Sequence, residues 1–340
     1  MRELEKLIDR RTFGKLFAGG AAIAAGAGIL ELASKGITEY SRSTRTKVPI
    51  YLQGIPDRTV WVGISPDGNN LDYLELMEVS IHCAKFFVDG DLGLETDQKI
   101  LKQIRRAQEL GIIPILSWGR YNASEKTLLA FAQELVSIPE PYEVEAYYEG
   151  NGNWTESWYG HRSAEEYIEK WIQLHTFLRN FGINCPLIFS PNTTAVLGTK
   201  PIERYYPGNQ WVDKAGIHAF FRRSDLFFDP EHWQPDYSDD PEGIIRHDMA
   251  VLQEITQGEK EIGIYEVQVT NKAKGRAEKL IRIIKEAVRA GAKRIMLWEW
   301  DGRFKGEIDW RSISDPTVHQ ALLDELKQPY YMPQPNLQLV

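Results

Sequence analysis

The sequence predicts an α/β fold, a single (β/α)8 barrel. Three observations carry this. From Arg58 onward short apolar runs alternate with stretches of helical period, the sequence form of repeated β–α units and a parallel sheet. A glycine recurs where a helix must turn back into a strand, at Gly111, Gly182 and Gly291. The chain has 340 residues, of which 43% are hydrophobic and 26% charged, enough for one large core after the first fifty or so.

The elements follow in order. Strands are predicted over 60–64, 82–88, 112–116, 144–148, 185–189, 212–220, 262–267 and 294–298. A helix is expected over 71–79, and Ile100, Leu101, Ile104, Ala107 and Leu110 repeat at helical spacing before Gly111. Ser163-Ala164-Glu165-Glu166 has the form of a capping box and opens the long helix after the fourth strand. The 221–241 stretch, with aromatic clusters bounded by proline, is too long for a routine connection and reads as a loop at the barrel mouth. An open doubly wound sheet would place a Gly-rich phosphate turn after its first strand, and Gly63-Ile64-Ser65-Pro66-Asp67-Gly68 is not one.

Four segments are expected: an export signal or membrane anchor over 1–35, a tether over 36–57, the barrel over 58–328 and a tail over 329–340. Asp9-Arg10-Arg11-Thr12-Phe13-Gly14-Lys15 precedes an uncharged run, 16–30, rich in Ala and Gly, and together they resemble a twin-arginine export signal. That implies passage through the twin-arginine machinery to an extracellular or periplasmic site. Membrane contact is expected through this segment alone, with an uncleaved anchor as the alternative.

A net charge of −8 argues against a nucleic-acid partner, which requires a basic face. The two cysteines, Cys83 and Cys185, lack metal-ligand spacing and read as buried free thiols. No HxH or HExxH occurs among the seven histidines, so neither a metal nor another cofactor is predicted.

In a barrel of parallel strands, residues just past the strand ends surround one mouth. Those positions hold Asp89, Trp118, Glu149, Asn192, His218, Glu266, Trp298 and Glu299. Glu149 and Glu266 end different strands and should face each other. Such a pair suits glycosidic bond cleavage, in which one carboxyl protonates the leaving oxygen while the other attacks or activates water. Trp118, Trp154, Trp158 and Trp298 offer flat faces for sugar rings, and Asn151, Asn192 and His218 offer polar contacts to a polysaccharide or oligosaccharide. Glu299, between Trp298 and Trp300, is the rival carboxylate, and alternation points it away from the mouth.

Glu149-Gly150-Asn151-Gly152-Asn153-Trp154 with Tyr159-Gly160 resembles the acid/base segment of glycoside hydrolase family 26, a retaining (β/α)8 family of β-mannanases and related endoglycanases. So do Ser190-Pro191-Asn192 and Tyr205-Tyr206-Pro207-Gly208-Asn209-Gln210-Trp211-Val212-Asp213, while Tyr265-Glu266 falls at the family's nucleophile. The resemblance implies that Glu149 is the general acid/base and Glu266 the nucleophile. It departs at Tyr148, where a histidine is usual, at Gly150, where a bulkier residue is usual, and at Phe220, where a tyrosine normally bonds the nucleophile. These departures leave a non-catalytic carbohydrate-binding barrel as the alternative.

Overall fold

A computed structural model describes residues 60–331, apart from 67–70, 72–80, 89–97, 122, 153–162, 194–198, 222–239, 270–272, 300–310 and 313. The signal, the tether, the end of the tail, the 71–79 helix beyond Leu71 and most of the 221–241 loop lie outside the described residues.

Eight strands, each parallel to its neighbours, close into a barrel: β1 Trp61–Pro66, β2 Cys83–Phe87, β3 Ile113–Trp118, β4 Glu143–Ala146, β5 Leu187–Phe189, β6 Lys214–Phe221, β7 Glu261–Val269 and β8 Arg294–Glu299. β1 pairs with β8 from Trp61↔Arg294 to Pro66↔Glu299, which completes the ring. The described helices are α1 Gln98–Glu109, α2 Glu125–Ser137, α3 Ala164–Asn180, α4 Pro241–Ile255, α5 Arg276–Arg289 and α6 Pro316–Leu326. Among the described residues no helix is long and apolar enough to cross a membrane.

The predicted signals act as their chemistry requires. Ser163 caps α3 by accepting from the Glu166 amide. Gly111, Gly182 and Gly291, which follow α1, α3 and α5, have φ of 72°, 76° and 90°, values that favour glycine. Asp213, at the entry to β6, accepts from the Leu187 amide at 2.8 Å and from Arg179 at 2.7 Å, fastening β5 and α3 together. Cys83 and Cys185 are buried free thiols.

The barrel interior is layered. At the amino-terminal ends of the strands, Arg294 and Lys214 pair with Glu143 (Arg294 Nη2–Oε1 3.1 Å, Lys214 Nζ–Oε1 2.8 Å). Burial raises the Glu143 carboxyl, but Arg294 and then Lys214 outweigh it and bring it down to about 2. Above them Cys83, Ile113, Ile115, Ile188, Tyr265 and Met296 form an apolar plug, separate from the larger core between strands and helices. A third layer, at the carboxyl ends of the strands, is again charged.

One irregularity builds that layer. Ile264 and Val267 of β7 pair with Ile295 and Leu297 of β8, so β7 carries one extra residue there. The bulge re-aims the chain, so that Tyr265 joins the plug while its neighbour Glu266 joins the charged mouth. Glu266 is therefore inside β7, three residues short of its end, rather than closing the strand as predicted.

Candidate active site

β4 stops at Ala146, two residues earlier than the sequence suggests, because the backbone turns left-handed at Tyr147 (φ 46°) and again at Glu149 (φ 56°). Such conformations cost non-glycine residues about 1–3 kcal/mol each and persist only where the surroundings enforce them. Here the Tyr147 amide donates to Trp118 O at 2.7 Å and its carbonyl accepts from the Tyr167 hydroxyl at 3.2 Å. The Tyr147 ring is buried against Tyr121, Tyr167 and Trp171. The Glu149 amide donates to Ser190 O at 2.8 Å, and Glu149 O accepts from the Gly152 amide at 2.9 Å. The turn is thus held from β3, β5 and α3 together. It also explains Gly150: a Cβ there would lie 2.1 Å from the Tyr167 ring, so the bulkier residue usual in the resembled family has no room.

The turn brings Glu149 to the charged layer. Glu149 Oε1 lies 3.0 Å from His218 Nδ1, and Glu266 Oε2 lies 3.3 Å from the same nitrogen. Glu266 Oε1 is 2.9 Å from Lys85 Nζ and accepts from Ser65 Oγ at 3.1 Å. The other His218 nitrogen, Nε2, is 2.9 Å from Glu145 Oε1. Glu145 also receives Lys85, 2.8 Å from Oε2, and the Ser117 hydroxyl. Lys85, Glu145 and His218 are fully enclosed, Glu266 nearly so, and Glu149 is the outermost, with 16% of its side chain exposed.

Burial sets the electrostatics and the neighbours redirect them. Burial lowers Lys85, but Glu145 and Glu266 outweigh it and raise the amine above its usual range. Burial and Lys85 lower His218, yet Glu266 and Glu145 push it up to about 9, so the ring is an imidazolium at neutral pH. Burial raises Glu145, whereas Lys85 and His218 together hold it far below the usual carboxylate range. Burial raises Glu266; Lys85 and His218 oppose that rise, and Glu145 and Glu149 reinforce it.

Glu149, His218 and Glu266 are also, among the described residues, the one group of His, Cys, Asp and Glu side chains spaced to hold a metal ion. The Lys85 ammonium, 2.9 Å from Glu266, already supplies a cation there and would repel another. That charge argues against reading the group as a metal site.

Aromatic rings surround this cluster. Phe87 meets Tyr148 edge-on at 5.5 Å and Trp298 at 5.7 Å, and Phe220 meets Trp298 at 5.8 Å and His218 at 6.2 Å. Phe87, Phe220 and Trp298 are half-buried, so apolar faces lie beside buried charge, the pairing a sugar ring needs. Phe220 adds apolar surface where the resembled family has a tyrosine, and His218 Nδ1 stands 3.3 Å from Glu266 instead.

The structure treats the predicted contacts unequally. Trp298 is at the mouth. Asn192, bridged to His218 across β5 and β6, is buried with both amide atoms unpartnered, as a group awaiting a polar ligand would be. Asn151 is fully buried and spends its amide on the Asn192 and Lys200 carbonyls and the Asn192 amide, so it shapes the loop that presents Asn192. His218 lies beneath the carboxylates with both nitrogens engaged, rather than open to substrate.

Trp118 is a correction. It is fully buried, stacked on Phe131 of α2 at 4.2 Å and on Tyr147 at 6.1 Å, because strand alternation sends Ser117 inward and Trp118 outward. Glu299, the rival carboxylate, accepts from the Ser312 amide and hydroxyl and from Gln268, away from the axis as alternation requires. Trp154, Trp158 and Asp89 lie outside the described residues. Sequence reasoning missed Lys85, Glu145, Ser65 and Ser117. The available signal was a charged side chain at an inward position of a fully buried strand, as in Glu143-Val144-Glu145-Ala146.

Residues 126–229 match the profile of glycosyl hydrolase family 26. The comparison with curated proteins gives no match. Among solved structures the fold is similar to a family 26 β-mannanase from Bacteroides ovatus, with a TM-score of 0.59 at 16% identity, over 81% of this chain and 88% of that one. An endo-β-1,4-mannanase from Cellulomonas fimi gives 0.60 at 14% identity, over 83% and 73%. The catalytic domain of a family 26 endo-β-1,4-mannanase from Bacillus sp. JAMB-750 gives 0.58 at 15%, over 83% and 89%. At these identities the likeness is one of fold.

Proposed function

We propose that this chain is a retaining glycoside hydrolase that cleaves a β-linked polysaccharide, β-mannan or a related β-glycan, with Glu266 as nucleophile and Glu149 as general acid/base. One observation carries the reading. A carboxylate oxygen of Glu149, one of Glu266 and a ring nitrogen of His218 lie within 4.8 Å of one another. Retaining pairs sit ~5–5.5 Å apart, whereas inverting pairs need ~6.5–9.5 Å to seat a water between them. The family match over 126–229 and the mannanases of similar fold support the same chemistry and favour endo action.

In the first step a Glu266 oxygen bonds the anomeric carbon, the glycosidic bond breaks, and the Glu149 proton goes to the leaving oxygen. In the second, water attacks that carbon, its proton goes to Glu149, and the ester electrons return to Glu266. Lys85, Ser65 and His218 stabilise the Glu266 carboxylate and fix its orientation. A polymer substrate agrees with the export signal expected over the first 35 residues.

Incubation with β-mannan, mixed-linkage β-glucan and xylan tests this. Reducing ends should appear from at least one polymer, in short oligosaccharides. Binding to any of the three with hydrolysis of none would select a non-catalytic carbohydrate-binding barrel instead.

A further inference from the structure

The inference below rests on the two-glutamate mechanism and concerns the ring that joins its glutamates. His218 Nε2 lies 2.9 Å from Glu145 Oε1, which also accepts from Lys85 Nζ at 3.0 Å. Lys85 Nζ also lies within hydrogen-bond distance of Nε2, at 3.2 Å. In the imidazolium both ring nitrogens carry hydrogens, so Nε2 donates to Glu145 and Nδ1 has an N–H of its own to give. On the opposite edge of the ring, Nδ1 faces two carboxylate oxygens, Glu149 Oε1 at 3.0 Å and Glu266 Oε2 at 3.3 Å. One N–H thus stands before two acceptors and cannot serve both fully.

The reaction moves negative charge between those acceptors. The two-glutamate mechanism begins with Glu266 as the attacking carboxylate and Glu149 as the proton donor. In the glycosyl-enzyme Glu266 is a neutral ester and Glu149, having protonated the leaving oxygen, is the carboxylate. We propose that the Nδ1–H of His218 is a shared donor that follows this charge, bonded to Glu266 before glycosyl transfer and to Glu149 after it. His218 gains and loses no proton in the cycle. It acts through the two glutamates as a positioning residue that lowers both barriers, and both acceptors already lie within reach of a stationary ring.

The surroundings favour this role. The groups facing the ring are Lys85 from β2, Glu145 from β4 and Glu149 from the turn after it, and Glu266 from β7. Tyr148 stacks on one side at 6.1 Å and Phe220 meets it edge-on. Burial and Lys85 act against the imidazolium, and Glu266 and Glu145 prevail, so it persists up to about pH 9. The donor is present below that value and lost as pH rises through it.

The test uses the full chain with the 2,4-dinitrophenyl β-glycosides of mannobiose, cellobiose and xylobiose. Their leaving group departs without help, so a rapid burst reports glycosylation and the steady state reports breakdown of the intermediate. His218→Leu should slow both phases, each by about 10- to 100-fold, the scale of one hydrogen bond to a charged group. His218→Asn, whose amide nitrogen falls near Nδ1, should recover part of both rates. The wild-type alkaline limb near pH 9 in kcat/KM should be missing from both variants. Unchanged breakdown in His218→Leu overturns the shared donor. Should that variant not fold, His218→Asn decides, and retention of its alkaline limb overturns the proposal. A wild type with neither burst nor turnover on all three glycosides removes the two-glutamate reading, and the shared donor with it. A wild-type burst combined with unchanged breakdown in the variant removes the shared donor alone.

Discussion

Glu266→Ala should abolish hydrolysis of every glycoside the wild type cleaves, with a loss of about 10⁴-fold or more in kcat, because among the described residues no other carboxylate lies where the glycosyl group must bond. Glu145 is the nearest substitute, but it is fully buried and committed to Lys85, His218 and Ser117. Those commitments also predict that the variant folds. Removing Glu266 leaves Lys85 and His218 each paired with Glu145, so neither becomes an isolated buried cation. The space vacated by the carboxylate opens beside the anomeric carbon, and added azide should enter it and restore part of the turnover as glycosyl azide. Circular dichroism and dinitrophenolate release with and without azide measure both halves. Activity undiminished in a folded variant would end the assignment.

Glu149→Ala should divide substrates by leaving group. Polymers release a poorly acidic sugar hydroxyl and need the proton that Glu149 donates, so their hydrolysis should fall by about 10²–10⁴-fold. A dinitrophenyl glycoside needs no such help, so its burst should survive while breakdown of the intermediate slows for want of a base. Glu149 is the outermost member of the cluster, and its amide and carbonyl bonds to Ser190 and Gly152 do not depend on its side chain. The turn should therefore keep its shape in the variant. A loss of equal size on polymers and dinitrophenyl glycosides would argue against the acid/base role.

The barrel was legible because its signals are local. A glycine at the helix end and apolar runs of strand length can be read without knowing what they pack against, and Gly111, Gly182 and Gly291 behave as read. The glutamate pair was legible from strand-end position, with errors at both members. β4 ends early because buried tyrosines enforce a left-handed turn at Tyr147, and β7 runs through Glu266 to Val269 because a bulge absorbs one residue. Neither event has a local signature. Trp118 could have been placed correctly, since alternation from Ser117 sends it outward. Lys85 is different. Between Ala84 and Phe86 it reads as a solvated charge, and only closure of the barrel brings β2, β4, β6 and β7 to one axis, where Lys85 meets Glu145 and Glu266. The role proposed for His218 depends on the same closure: a histidine near a strand end reads as a polar donor, but not as one that stands between both glutamates.

Retention with Glu149 and Glu266 as the pair is the central claim, and the configuration of the first-formed sugar tests it most directly. Proton NMR of a polymer digest, recorded before mutarotation equilibrates the product, should show the β-anomer of the new reducing end first, with the α-anomer growing in later. Initial appearance of the α-anomer would mean inversion through a single displacement and would contradict the account.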